Sequence, residues 1–128
     1  MKRAAAAILL LAGCASGDRL ETLGVRLKGE TDRAVRLGLV QKLLDSGDLR
    51  VVPMLIDALE TVLDRVKPPD PDYTTDYVDP HTRGPELWGL IICTGQDFKR
   101  DIPAWREWWA KVGPTLRWDG GRKRFVPQ

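Results

Sequence analysis

The chain is poor in the side chains that most catalytic sites are built from. It has two cysteines and one histidine in 128 residues. The histidine, His81, lies in a proline-rich stretch, and Cys93 lies in the apolar run LWGLIICTG, so the pattern offers no Cys–His nucleophile pair. No glycine-rich phosphate loop and no closely spaced metal-ligand signature occurs. Charge of one sign is also lacking, because 20 Lys and Arg face 18 Asp and Glu. A general nucleic-acid binder carries a basic excess, and nucleic acid is therefore not an expected partner. The longest apolar run, Ala4 to Ala12, is far short of the roughly 20 residues that span a bilayer as a helix.

That short run does fit another purpose. Lys2 and Arg3 precede it, as in the charged n-region of a secretory signal, and its length suits the apolar h-region. Leu11-Ala12-Gly13-Cys14 follows directly. The four residues resemble the lipobox of bacterial lipoproteins. The resemblance implies cleavage before Cys14, thioether attachment of a diacylglycerol to its thiol, and acylation of the new amino group. Two or more acyl chains anchor stably where one binds weakly, since each buried CH₂ contributes about 0.8 kcal/mol. Ala15 after the cysteine implies, by the same resemblance, outer-membrane sorting if the host is Gram-negative. Removing residues 1–13 also removes Lys2 and Arg3 and leaves 18 basic against 18 acidic residues. Cys93 would then be the one thiol left, expected as a small buried residue, with an intermolecular bridge as its alternative.

The remaining chain reads as one domain. Residues 14–18 form a short lipidated linker. Leu20, Leu23 and Leu27 recur at helical spacing and predict a helix over about Asp18 to Lys28. Gly29-Glu30-Thr31-Asp32 is a break and a cap. Val35, Leu37, Leu39, Val40, Leu43 and Leu44 predict a second helix ending near Asp45, before Ser46-Gly47-Asp48. A third covers about Arg50 to Val66. Pro53 is tolerated in its first turn, and Leu55, Ile56, Ala58, Leu59, Val62, Leu63 and Val66 share one face.

Leu27-Lys28-Gly29-Glu30 leading to Val35-Arg36, then Gly47 to Ile56 and Ala58-Leu59, resembles helical repeats of the HEAT type. The repeat-like region is residues 19–66. In that family an Arg and an acidic residue of the preceding turn join a ladder between repeats, and the resemblance puts Arg36 and Glu30 in those places. Arg36 also interrupts an apolar arc, so it needs an acceptor wherever it is buried. The small residue usual three positions after that Arg is replaced by Leu39, with Gly38 beside it.

Residues 67–85 form a Pro/Asp-rich loop with five of the chain's nine prolines and four aspartates. Proline this dense forbids regular helix. Residues 86–128 then predict C-terminal helices and a β-hairpin cap. A buried helix spans Glu86 to Thr94. A second, capped by Asp101, runs to about Val112 and carries Trp105, Trp108 and Trp109 on one stripe. Thr94-Gly95-Gln96-Asp97-Phe98 followed by this stripe resembles the C-terminal end of some bacterial HEAT-like proteins. Asp119-Gly120 between alternating arms marks a hairpin turn, with Leu116, Trp118, Phe125 and Val126 as its apolar face.

The expected fold is therefore mostly α: a short HEAT-like repeat of the α-α superhelix type, a Trp-rich C-terminal helix and a terminal hairpin. The expected function is a lipid-anchored, non-catalytic interaction or scaffold module of the cell envelope, without cofactor. Its expected partners are membrane lipid through Cys14 and a protein or a second copy. Two alternatives come from other classes. Trp105, Trp108 and Trp109 could stack on peptidoglycan or another glycan, although aromatics at this spacing more often form core. Asp70, Asp72, Asp76, Asp79 and His81 could gather a cation in a small envelope hydrolase, against a plain solvated loop. Arg117, Arg122, Lys123 and Arg124 make a basic hairpin, either solvated or directed at anionic lipid headgroups.

Overall fold

A computed structural model describes residues 19–65 and 84–128. Helix α1 occupies residues 19–29, α2 is Arg33–Asp45, α3 Val51–Arg65, α4 Pro85–Thr94 and α5 Ile102–Val112. A single 3₁₀ turn, Gly113–Thr115, leads into strands β1 (Leu116–Asp119) and β2 (Arg124–Pro127). The protein is mostly helical and ends in a two-stranded antiparallel hairpin. Among the described residues no helix is long and apolar enough to cross a membrane.

At the starts of α2 and α5 an aspartate side chain takes up orphan N–H groups. The Asp32 carboxylate accepts from Val35 N at 3.0 Å, and the Asp101 carboxylate accepts from Ala104 N at 3.0 Å. The α2–α3 corner is set by Gly47 at φ +65°, with Asp48 Oδ1 accepting from Arg50 N at 2.9 Å. Pro85 opens α4 and Gly95, at φ +71°, closes it with its N–H on Ile91 O.

The buried positions follow the helical period. In α2 they are Arg36, Leu39, Val40 and Leu43; in α3 they include Val52, Leu55, Ile56, Leu59 and Val62. α4 is buried on most of its circumference and lies against both α2 and α3. Gly89 is the closest approach: a Cβ built there would meet Val40 Cγ1 at 2.6 Å and Leu55 Cδ1 at 3.4 Å. One continuous core runs from Leu20 in α1 to Phe125 in β2.

The helices alternate in direction. Arg36 meets Glu86, Val40 faces Gly89, and Leu44 lies beside Trp88 and Ile92, so α2 and α4 run in step. Gly24 faces Met54 and Lys28 reaches Asp57, so α1 runs in step with α3. The short corner at 46–50 reverses α3 relative to α2. One end of the molecule therefore gathers the start of α1, the α2–α3 corner and the end of α4. The hairpin closes the same end: the Trp118 ring lies over Gly47 and the Arg124 guanidinium over Gly95.

The hairpin pairs Leu116 with Pro127 and Asp119 with Arg124, which leaves residues 120–123 as its connection. The Asp119 carboxylate accepts from Gly121 N at 3.0 Å and Arg122 N at 3.2 Å, and Lys123 takes φ +54°. The Asp-Gly signal thus opens a four-residue turn that the Asp side chain organises. Leu116 and Phe125 enter the core, and Trp118 stacks edge-on against Phe125 with centroids 5.0 Å apart.

Candidate functional site

Arg36 Nε lies 3.2 Å from Glu86 Oε2, with the two side chains 9% and 0% exposed. Glu30 is occupied elsewhere, its carboxylate accepting from Thr31 N and Asp32 N at 3.0 Å each. The structure thus places Glu86 against the buried arginine and Glu30 at the start of α2. Glu86 was missed as that partner from sequence, although the signal was present: a carboxylate inside an otherwise apolar helix needs a cation or a donor.

The tryptophans divide into two groups. Trp105 is 0% exposed; its ring stands edge-on to Phe98 at 4.9 Å and its indole N–H donates to Lys99 O at 3.0 Å. A side chain with no exposed surface cannot stack on a ligand, so Trp105 is a core residue. Trp108 and Trp109 are half-buried, 6.5 Å apart by centroid, and Trp109 lies flat over Gly113. Trp88 stands apart from this stripe. With Leu44, Ile92 and Trp118 it lines an apolar groove of about 170 Å³ whose rim includes Gln41 and Lys123. Ile92 is 41% exposed.

A second groove, about 230 Å³, lies between α1 and α3 and is lined by Glu21, Gly24, Val25, Lys28, Met54 and Asp57. Val25 on its edge is 70% exposed. Beside it Arg106 donates to Asp57 Oδ1 at 2.9 Å and Glu60 Oε1 at 3.0 Å, while Lys28 lies 4.0 Å from Asp57. This surface net ties α1, α3 and α5 together; the Asp57 hydrogen bond is the main cause of the raised pKa of the Arg106 guanidinium.

Cys93 is a free, fully buried thiol, and burial pushes its pKa up to about 12. At neutral pH it is a neutral thiol and a poor nucleophile. Among the described residues no three His, Cys, Asp or Glu side chains gather as metal ligands. Asp70, Asp72, Asp76, Asp79 and His81 lie outside the described residues, as does Cys14. No family model matches the chain, and no curated protein or solved structure matches it either.

Proposed function

We propose that this chain is a lipid-anchored, non-catalytic interaction module of the bacterial cell envelope, built on a short HEAT-like helical repeat. The observation that carries the reading is Leu11-Ala12-Gly13-Cys14 behind a charged and then apolar leader. The alternating direction of α1 to α4 supports the repeat-like part of it. In a stack of this kind each helix pair buries one face on its neighbour and leaves the terminal pair with an open flank. Here that flank is the α1 side, with Val25 exposed beside the α1–α3 groove. The open flank of a helical stack is a surface that a further layer can cover, so this flank is the docking face for a protein partner or a second copy.

Two measurements test the reading. The intact mass of the protein extracted from its host's membranes should correspond to a chain beginning at Cys14 with added acyl mass, and Cys14→Ser should abolish that mass. A photo-crosslinking residue at Val25 should then trap one discrete species, while the same residue at Lys42, on the outer face of α2, should not. An unlipidated native form sinks the anchoring part. Indiscriminate crosslinking from both positions sinks the assignment of the flank.

A further inference from the structure

We propose that the hairpin end of the molecule is a membrane-contact face, which lays the Trp88–Ile92–Trp118 groove and the cations of the hairpin on an anionic lipid surface. α1 runs in step with α3, and α2 with α4, so the start of α1 and the hairpin share one end of the helix stack. That is the end at which the chain arrives from Cys14. Residues 14–18 can reach at most about 18 Å when fully extended. A domain held on so short a tether lies against the bilayer by the end from which the tether leaves. The orientation rests on the anchoring reading of the preceding section.

The chemistry of that end matches such a surface. The hairpin carries Arg117, Arg122, Lys123 and Arg124, all exposed, against one carboxylate, Asp119. Arg122 Nε lies 3.7 Å from Asp119. Asp48, at the neighbouring corner, is held by Arg50 at 2.8 Å. Further carboxylates of this end among the described residues are Glu21, Asp45, which borders the groove, and Asp97, just past the end of α4. Beside the cations stand two half-buried indoles and a partly exposed isoleucine. Indole rings settle at the level of lipid headgroups, where an apolar body and a polar N–H are both accommodated. Lysine and arginine next to them add attraction to anionic lipid that salt screens. The α1–α3 groove then faces sideways, clear of the bilayer, where a partner can reach it.

The surface is tested without the anchor, on the full chain carrying Cys14→Ser. Its leader is common to every protein compared. Sedimentation with phosphatidylcholine vesicles, with and without phosphatidylglycerol, should show binding that requires the anionic lipid and is reversed by high salt. Converting Arg117, Arg122, Lys123 and Arg124 together to Gln should weaken that binding by roughly several hundredfold, since each of the four charges near the surface is worth about fivefold. Arg26→Gln with Arg65→Gln, away from this end, should leave it unchanged. A headgroup-attached nitroxide should quench tryptophan fluorescence of the unsubstituted surface, and Trp118→Phe should remove much of that quenching. Binding indifferent to headgroup charge overturns the proposal, as does equal loss in the hairpin and control variants. So does absence of quenching, which needs no substitution. The native protein's acyl mass is measured separately, so failure of the anchor and failure of the surface are told apart.

Discussion

Arg36 and Glu86 form a buried ion pair that joins α2 to α4, with Nε and Oε2 3.2 Å apart and the carboxylate wholly shielded from solvent. Taking two charges out of water is expensive, and their mutual attraction roughly offsets that cost only while both are present. Removing one partner therefore harms more than removing both. Glu86→Gln should destabilise the protein by about 3–5 kcal/mol, which leaves an uncompensated guanidinium in the core. Arg36→Met combined with Glu86→Leu should recover most of that loss. Urea unfolding of Glu86→Gln, of Arg36→Met and Glu86→Leu singly, and of the double variant gives the coupling directly. A double variant as unstable as Glu86→Gln would show that the pair is a net stabiliser.

Gly89 and Gly38 make a matched pair of glycine-to-alanine tests. At Gly89 the new methyl would sit 2.6 Å from Val40 Cγ1, inside the contact between α2 and α4. Val40 is itself fully buried and has nowhere to move. Gly89→Ala should cost about 1–3 kcal/mol through overpacking. Gly38, within α2, meets nothing within 4 Å. Gly38→Ala should instead stabilise by about 0.5–1 kcal/mol, because glycine loses more backbone freedom in a helix than alanine does. Thermal melts should move in opposite directions; melts that move together would mean that α4 does not press on α2 as described.

Much of this architecture could be read from local signals. The Asp32 and Asp101 caps, the Gly47 corner and the i, i+3, i+4 apolar faces are contained in short windows, and the helices begin and end close to where those windows place them. Pairings across the chain were less accessible. Glu30 satisfies the same charge logic as Glu86 for a partner of Arg36, and it is nearer in sequence; only the packing of α4 between α2 and α3 decides between them. The tryptophans show the same limit. The stripe in α5 announces itself by spacing, but Trp88 and Trp118 come to line one groove only because the hairpin folds back over the α2–α3 corner. Nothing in either local sequence contains that fold-back.

Cys93 offers a probe of the core that needs no added label. In the Cys14→Ser chain it is the single thiol, and it is fully buried with a pKa near 12. Reaction with an aromatic disulfide requires both thiolate and access. The native protein should therefore react far more slowly than the urea-unfolded chain, at a rate that follows opening of the core. Measuring that rate against urea concentration should reproduce the unfolding curve. Rapid reaction of the native protein at neutral pH would show that α4 opens independently of the rest.

Asp48 and Arg50 give the fold an acid-sensitive corner. Asp48 Oδ2 lies 2.8 Å from Arg50 Nη2, and its Oδ1 accepts from Arg50 N at the start of α3. The Arg50 side-chain hydrogen bond is the largest cause of the lowered Asp48 pKa; burial, the next largest, works against it. A carboxylate whose folded pKa is depressed contributes stability that is complete above its unfolded value, near 3.8, and is lost as pH falls through the lower folded value. Arg50→Gln removes the main cause. The Arg50 side chain is 50% exposed and that of Asp48 34%, so at neutral pH the loss should stay within about 0–1 kcal/mol, the range of surface pairs. The gap should then close as pH falls through the Asp48 titration, where the parent has lost the same interaction. Urea midpoints of the two proteins, taken at neutral pH and again below that titration, read both arms. A gap of unchanged size in acid would show that Arg50 supports the corner through its aliphatic stem instead of its charge.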